Sequence, residues 1–263
     1  MKNIFLYIEY GGQNKYISEL KYSLATLFDH HALTPDEIWV YTEDISRYAN
    51  LPVTPKSIAA ELEAYSLGGV YAHRIKPCAV NKALAELPPD TNLVFVDTDT
   101  YFKSSVTRRL STISQRHVLM NKFEKINPYE NDVLEHLQLP SGKKYRYDTQ
   151  KSVMFNSGFL GLNREHIPCM KDAIAIIDGM IQAKFKAHTI EQCAVSEAFR
   201  IHGIAISEVD AELEHYWPST DKKYMHHHLS KISDANIDSR GLWTERLQHS
   251  WWRARLHKYF VKG

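Results

Sequence analysis

Cysteine is scarce: Cys78, Cys169 and Cys193 stand far apart in 263 residues. So odd and scattered a set excludes a disulfide framework, and no CxxC or Cys/His spacing marks a zinc site. A reducing compartment is the expectation. Long apolar runs are missing too. The run over residues 4–8 is too short for a signal-peptide core, and no stretch approaches the length of a membrane span. The expected location is the cytoplasm, with peripheral attachment to the inner face of the cell membrane open. Neither sign of charge dominates: 32 Lys plus Arg against 31 Asp plus Glu leave a net charge of +1, which removes any global argument for nucleic-acid binding. Repeats and low-complexity segments are absent. With 44% hydrophobic and 24% charged residues the chain is an ordinary folded one, long enough for one large α/β domain or two small ones.

Hydrophobic patterning supplies the elements. Residues 3–8 read as a strand that runs into a loop at Tyr10-Gly11-Gly12. Ile17, Leu20, Leu24 and Leu27 recur at helical spacing, which predicts a helix over 15–29. Residues 37–41 read as a strand and 75–87 as a helix stopped by Pro88-Pro89. The wholly apolar segment 92–96 predicts a strand buried on both faces. A weaker strand is expected at 117–120. Residues 122–152, with Pro128, Pro140 and Gly142, read as a polar excursion rather than core. An apolar glycine-bearing strand follows at 155–162, then helices at 167–183 and 190–199, then closing strands at 204–207 and 211–216. Alternating strands and helices in the first half predict an α/β sheet with parallel strands. In such sheets ligands bind at the carboxyl ends of the strands, which puts the loops after Ile8 and Val96 on one rim.

The chemistry begins at Asp97-Thr98-Asp99, directly after the buried strand. Two neighbouring carboxylates repel each other unless a cation lies between them. A hard divalent ion satisfies both and leaves positions open for phosphate oxygens. The plainer alternative is a pair of solvated turn aspartates, one capping a helix that starts near Ser104. Asp97-Thr98-Asp99-Thr100 also resembles the DxDxT string of haloacid-dehalogenase-type phosphatases, in which the first aspartate is a phosphoryl nucleophile. That motif normally opens its domain, whereas nearly a hundred residues precede it here, and Glu208-Val209-Asp210 does not supply the later acidic pair.

Several segments in order resemble a second family. The strand followed by Asp97-Thr98-Asp99 looks like the DxD motif of GT-A-fold glycosyltransferases. The segment from Phe155 through Asn156, Ser157 and Gly158 to Asn163 resembles the FNxG strand of glycosyltransferase family 8 and related bacterial nucleotide-diphospho-sugar transferases. Ile190-Glu191-Gln192 is similar to the acidic-Gln element that opens the next helix there, and His215-Tyr216-Trp217 with Lys222 and Lys223 is similar to the late His…Lys element. The resemblance spans roughly residues 3–231.

It implies a GT-A-like, Rossmann-like α/β fold: a mixed sheet flanked by helices, with a helical C-terminal tail. It also implies a sugar transfer from a nucleotide-diphosphate sugar, foremost a UDP-sugar, to a saccharide or glycolipid acceptor, in surface polysaccharide synthesis. Asp97, Asp99 and His215 become ligands of Mn²⁺ (or Mg²⁺), a cation that stabilises the departing diphosphate. Lys222 or Lys223 adds a point charge at the same phosphates. The glycine usual between His and Lys is absent and the spacing is longer, so His226, His227 and His228, with Lys231, form a rival set. The triple histidine reads as an exposed helix start. Arg74 and Lys76 stand where relatives place a basic residue against the DxD aspartate and the donor. Tyr10 and Gly11 fall where the nucleoside sits, and Asn156, Ser157 and Gly158 near the donor sugar. Gln192 matches an amide near the anomeric carbon, with its carbonyl oxygen facing positive charge on the ring. Glu191 binds sugar hydroxyls, caps the helix or acts as a base. The analogy implies retention of configuration; a basic Glu191 implies inversion.

Residues 1–235 are thus expected to form the catalytic domain, and 236–263 a basic aromatic helix. In the tail Arg240, Arg246, Arg253, Arg255, Lys258 and Lys262 outnumber one Glu245. Leu247, Trp251, Leu256 and Phe260 recur near helical spacing. That composition suits either an anionic membrane surface or packing onto the core. A non-catalytic sugar-nucleotide-binding protein on the same fold is the remaining alternative.

Overall fold

The computed structural model describes residues 1–126, 134, 136–185, 187–247 and 249–260. Pro128 and Lys262 lie outside these, as do the side chains of Ile126, of Trp251 and of residues 257–260. The strands are β1 (Lys2–Glu9), β2 (Ile38–Thr42), β3 (Thr54–Ser57), β4 (Thr91–Val96), β5 (Thr100–Phe102), β6 (His117–Met120), β7 (Phe123–Ile126), β8 (Val153–Phe155), β9 (Phe159–Asn163), β10 (Ala205–Glu208) and β11 (Leu213–His215). The helices are α1 (Asn14–His30), α2 (Leu62–Tyr65), α3 (Ile75–Glu86), α4 (Thr107–Leu110), α5 (Ile167–Gln182), α6 (Ile190–His202), α7 (Ser219–Leu229) and α8 (Trp251–Phe260). The main sheet has the order β10-β6-β9-β4-β1-β2-β3, and β11-β5 and β7-β8 form separate ladders. The fold is therefore α/β with a mixed sheet flanked by helices.

The chain divides into two compact units. Unit 1 holds residues 1–6, 58–96 and 106–209; unit 2 holds 7–57, 97–105 and the residues from Asp210 on. In unit 1, β4 is buried along its whole length, as its apolar sequence predicts. Each such Leu, Val or Phe contributes about 1.5–3 kcal/mol on burial. β1 runs parallel to β4, with Leu6 opposite Phe95. β9 runs antiparallel to β4, with Phe159 opposite Val96, and also pairs with β6. Gly161 makes the β6–β9 approach possible: a Cβ there would lie 3.0 Å from Leu119 Cβ and from Ile113 Cδ1. α5 packs against α3 and α6. In unit 2, α1 packs on β5 and α7, and α7 on α8.

Four expectations need correction. The segment expected at 155–162 is two strands, β8 and β9, separated at Asn156-Ser157-Gly158. The supposed polar excursion contributes β7 and buries Leu134, Leu139 and Tyr145, whose hydroxyl donates to Glu197 Oε2 at 3.1 Å. The helix expected near Ser104 is a single turn that begins at Thr107. His226–His228 close α7 rather than open it, and they are half-buried; Pro218 just ahead of Ser219 is the start signal.

The tail also differs from one long amphipathic helix. α8 begins only at Trp251, so Leu247 precedes it. Leu247 is tied at both backbone groups to the Tyr22 hydroxyl, which donates to its carbonyl at 2.9 Å and accepts from its N–H at 3.0 Å. Arg246 pairs with Asp29 at 2.5 Å. Trp243 and Ala254 join Tyr22, Tyr216, Tyr224, Met225 and Leu229 in one buried cluster. Trp252 and Leu256 are exposed. No helix among the described residues is long and apolar enough to cross a membrane. The three cysteines are buried free thiols. Burial pushes Cys78 up to about 11 and Cys169 and Cys193 up to about 12, so none carries a reactive thiolate near neutrality.

One buried group makes the fold acid-sensitive. His166 is fully buried, and its Nδ1 accepts from the Asn163 N–H at 3.0 Å. Burial pushes its pKa down from 6.5 to about 4. An accepting Nδ1 carries no proton, so the folded state holds the neutral ring while the unfolded chain takes up a proton near 6.5. The stabilisation is complete above that pH and is lost as pH falls towards 4, by on the order of 3 kcal/mol. Urea melts between pH 7 and 4.5 should therefore lose stability more steeply in the wild type than in His166→Gln. Parallel slopes would contradict this.

Candidate metal centre

The centre lies within unit 2. β4 ends at Val96 and passes directly into Asp97. β5 then pairs antiparallel with β11, and the register sets His215 opposite Thr100. The Tyr216 N–H donates to the Asp99 carbonyl at 3.1 Å, so the ladder brings His215 to the acid pair. Asp97, Asp99 and His215 each present one ligand atom, and these atoms lie within 4.8 Å of one another. His215 Nε2 is 3.2 Å from Asp99 Oδ1 and 3.8 Å from Asp97 Oδ2. Two carboxylate oxygens and one imidazole nitrogen make a donor set that could hold a divalent metal ion.

α7 supplies the counter-charge. Lys222 Nζ stands 2.8 Å from Asp99 Oδ2, whereas Lys223 is exposed. Burial would raise the Asp99 pKa, but His215 and Lys222 outweigh it and hold the carboxyl well below the usual range. Burial likewise disfavours charge on Lys222, yet Asp99 raises its pKa overall. The two lysine candidates are thereby separated, as are the histidines. His215 joins the acids, while His226 Nε2 lies 2.5 Å from Glu19 Oε1 and His228 packs on the Tyr224 ring.

Glu19 was not among the sequence candidates. It is fully buried on α1, and Thr98 Oγ1 donates to its Oε2 at 3.5 Å. Ser23 and Thr26 lie on the same stripe of α1. Ser23 Oγ is 3.1 Å from Thr100 Oγ1, and Thr26 Oγ1 accepts from the Phe102 N–H at 3.0 Å. Polar residues at i, i+4 and i+7 beside the apolar stripe were the available signal. This stripe secures the segment that carries the acids. The loop after β1 is also in unit 2. Tyr10 is half-buried, and Gly11 and Gly12 adopt φ of 87° and 65°, open mainly to glycine. The Gly11 N–H donates to Glu43 Oε1 at 3.0 Å.

A second polar cluster lies within unit 1, at the break between β8 and β9. Ser157 Oγ donates to Glu191 Oε2 at 2.8 Å, and Lys76 Nζ reaches the same Oγ at 3.1 Å and Glu191 Oε2 at 3.6 Å. Glu191 and Gln192 sit in the first turn of α6. Gln192 Oε1 accepts from the Ser157 N–H at 3.4 Å, and Asn156 Oδ1 from the Gly158 N–H at 2.9 Å. Arg74 is not part of this cluster: its guanidinium forks onto Asp178, at 2.6 and 3.0 Å, and onto the carbonyls of Ala64 and Tyr65. The phosphatase motif does not hold either. DxDxT needs threonine two places after the second aspartate, where this chain carries Tyr101.

The donor set predicts its own test. Asp99→Asn removes the negative charge that the ion needs. Mn²⁺ binding, followed by the loss of the free-ion electron paramagnetic resonance signal, should weaken by at least about 10- to 100-fold, the effect of losing mere outer-shell partners of metal ligands. Lys223→Ala should leave it unchanged.

No protein-family model matches the chain, and no curated protein matches it.

Proposed function

We propose that this chain is a metal-dependent glycosyltransferase of GT-A type. In this reading it transfers a sugar from a nucleoside-diphosphate sugar, foremost a UDP-sugar, to a saccharide or lipid-linked saccharide acceptor in surface polysaccharide synthesis. The observation that carries the reading is the convergence of Asp97, Asp99 and His215 at the carboxyl end of a buried strand, with the Lys222 ammonium against Asp99. A carboxylate pair with an imidazole and a lysine is a donor set for a cation and for the phosphates that follow it. Bound Mn²⁺ or Mg²⁺ would supply charge stabilisation for the departing diphosphate.

The family resemblance assigns a role to groups of each unit taken separately. Asp97, Asp99 and His215 hold the ion. Lys222 turns its ammonium to phosphate oxygens. Tyr10 and Gly11 receive the nucleoside. Asn156, Ser157 and the Gly158 backbone bind sugar hydroxyls, and Lys76 pairs with Glu191 beside them. The Gln192 carbonyl oxygen faces positive charge developing at the anomeric carbon. The family analogy implies retention of configuration, whereas Glu191 acting as a base on the acceptor hydroxyl gives inversion. The exposed Trp252, Leu256, Arg253 and Arg255 of α8 suit peripheral attachment to an anionic membrane from the cytoplasmic side.

A thermal-shift panel of UDP, GDP and CMP, each with and without Mn²⁺, tests the reading. One nucleoside diphosphate should raise the melting temperature only with the metal, by the equivalent of about 2.7 kcal/mol at a hundredfold excess over Kd. Asp99→Ala should abolish both the shift and metal-dependent release of the nucleoside diphosphate from its sugar donor. Indifference to every nucleotide overturns the reading. A shift without release in the wild type leaves a sugar-nucleotide-binding protein.

A further inference from the structure

Glu124 belongs to no sequence motif, yet the backbone makes a special provision for it. Phe123 pairs with Phe155 and Lys125 with Met154, so Glu124 is the extra residue of a β-bulge. A bulge takes a residue out of ladder pairing and re-aims its side chain. Here the carboxylate meets two amides: Asn156 Nδ2 donates to Oε1 at 2.8 Å, and Gln192 Nε2 donates to Oε2 at 3.1 Å. All three residues belong to unit 1.

The chemistry of these partners fixes a direction. A carboxylate only accepts hydrogen bonds, whereas a carboxamide has a donor end and an acceptor end. Both amides must therefore turn their NH₂ groups to Glu124 and their oxygens away from it. The Asn156 oxygen then takes the Gly158 N–H at 2.9 Å, a second tie that holds its orientation without help. The corresponding tie of Gln192, from the Ser157 N–H, is 3.4 Å long. Gln192 is thus the amide whose orientation depends on Glu124. It is also half-buried, where Asn156 is fully buried, so it is the more accessible of the two amides.

We infer that Glu124 is a positioning residue: held out on the bulge, it sets the flip of the Gln192 amide so that Oε1, not Nε2, is offered to the substrate. Its catalytic consequence rests on the glycosyltransferase reading. There an oxygen facing the anomeric carbon stabilises developing positive charge, and a reversed amide would present NH₂ donors that oppose it.

Glu124→Gln is the discriminating change, because it keeps size and shape and alters only the hydrogen-bonding pattern. The new side chain offers one acceptor and one donor, so it can satisfy only one of the two amides in its present flip. Asn156 keeps its orientation and Gln192 turns over. The first measurement is the side-chain amide spectrum of the ¹⁵N-labelled full chain, assigned by the signals lost in Asn156→Asp and Gln192→Glu. In Glu124→Gln the Gln192 NH₂ pair should move to solvent-like shift and exchange while the Asn156 pair stays. The second is steady-state kinetics with MnCl₂ and UDP-glucose or UDP-galactose. There kcat should fall by about two orders of magnitude, the scale of one misdirected dipole at a transition state, with donor KM within about threefold. An unmoved Gln192 pair overturns the inference, and so does a variant that melts earlier with unchanged kcat. If the wild type turns over no donor of any kind, the glycosyltransferase reading falls instead, and the amide spectrum still decides whether Glu124 holds Gln192.

Discussion

Asp99 is the constraint on which unit 2 is built. A carboxylate with 6% of its surface exposed cannot stay ionised in isolation, and this one stays ionised because His215 and Lys222 flank it at 3.2 and 2.8 Å. Each partner needs its own support. His215 arrives through the β5–β11 ladder. Lys222 arrives through α7, which is anchored by Tyr224, Met225 and Leu229 in the same buried cluster as Tyr216 and Trp243. The acid-bearing segment is tied to α1 by Ser23 and Thr26. A buried ion pair is weak evidence of a stability device, since an apolar replacement is often as stable. So much apparatus around one charge points to a ligand.

Much of this was legible from period and punctuation. β4 reads as a buried strand because every residue from Leu93 to Val96 is apolar, and Pro88-Pro89 closes α3 ahead of it. The order of motifs found Asp97, Asp99 and His215 although 116 positions separate Asp99 from His215. The short partners were not legible. β3 carries Thr54-Pro55-Lys56-Ser57, with no apolar alternation at all. β5 is a three-residue strand whose existence depends on β11, far along the chain. β7 lies inside a polar stretch and forms only because β8 pairs with it. Strands this short are defined by their partners rather than by their own residues.

The tail illustrates a different failure. Arginine, tryptophan and leucine at near-helical spacing describe an amphipathic helix equally well on a membrane or on a core. The decision came from groups that periodicity ignores. Asp29 receives Arg246, the Ser18 carbonyl receives Trp243 Nε1 at 3.3 Å, and the Tyr22 hydroxyl takes both backbone groups of Leu247. Three polar anchors on one helix convert the first half of the apparent helix into a packed strap. α8 begins only after it.

The two polar clusters are organised alike and behave differently. Each centres on a carboxylate that can only accept: Asp99 in unit 2 and Glu124 in unit 1. Around Asp99 the partners are an imidazole and an ammonium, and Lys222 is a long, partly exposed side chain whose ammonium can exchange one oxygen for another as anions or cations arrive. Around Glu124 the partners are neutral amides, held by further bonds to the backbone of Ser157 and Gly158. Their hydrogen-bonding ends are not interchangeable, so the arrangement has a single satisfied state. A cluster of charges tolerates replacement of one ion by another; a cluster of amides tolerates only one orientation. The first is a set of groups that could hold a metal ion, and the second a set of amides fixed in one orientation.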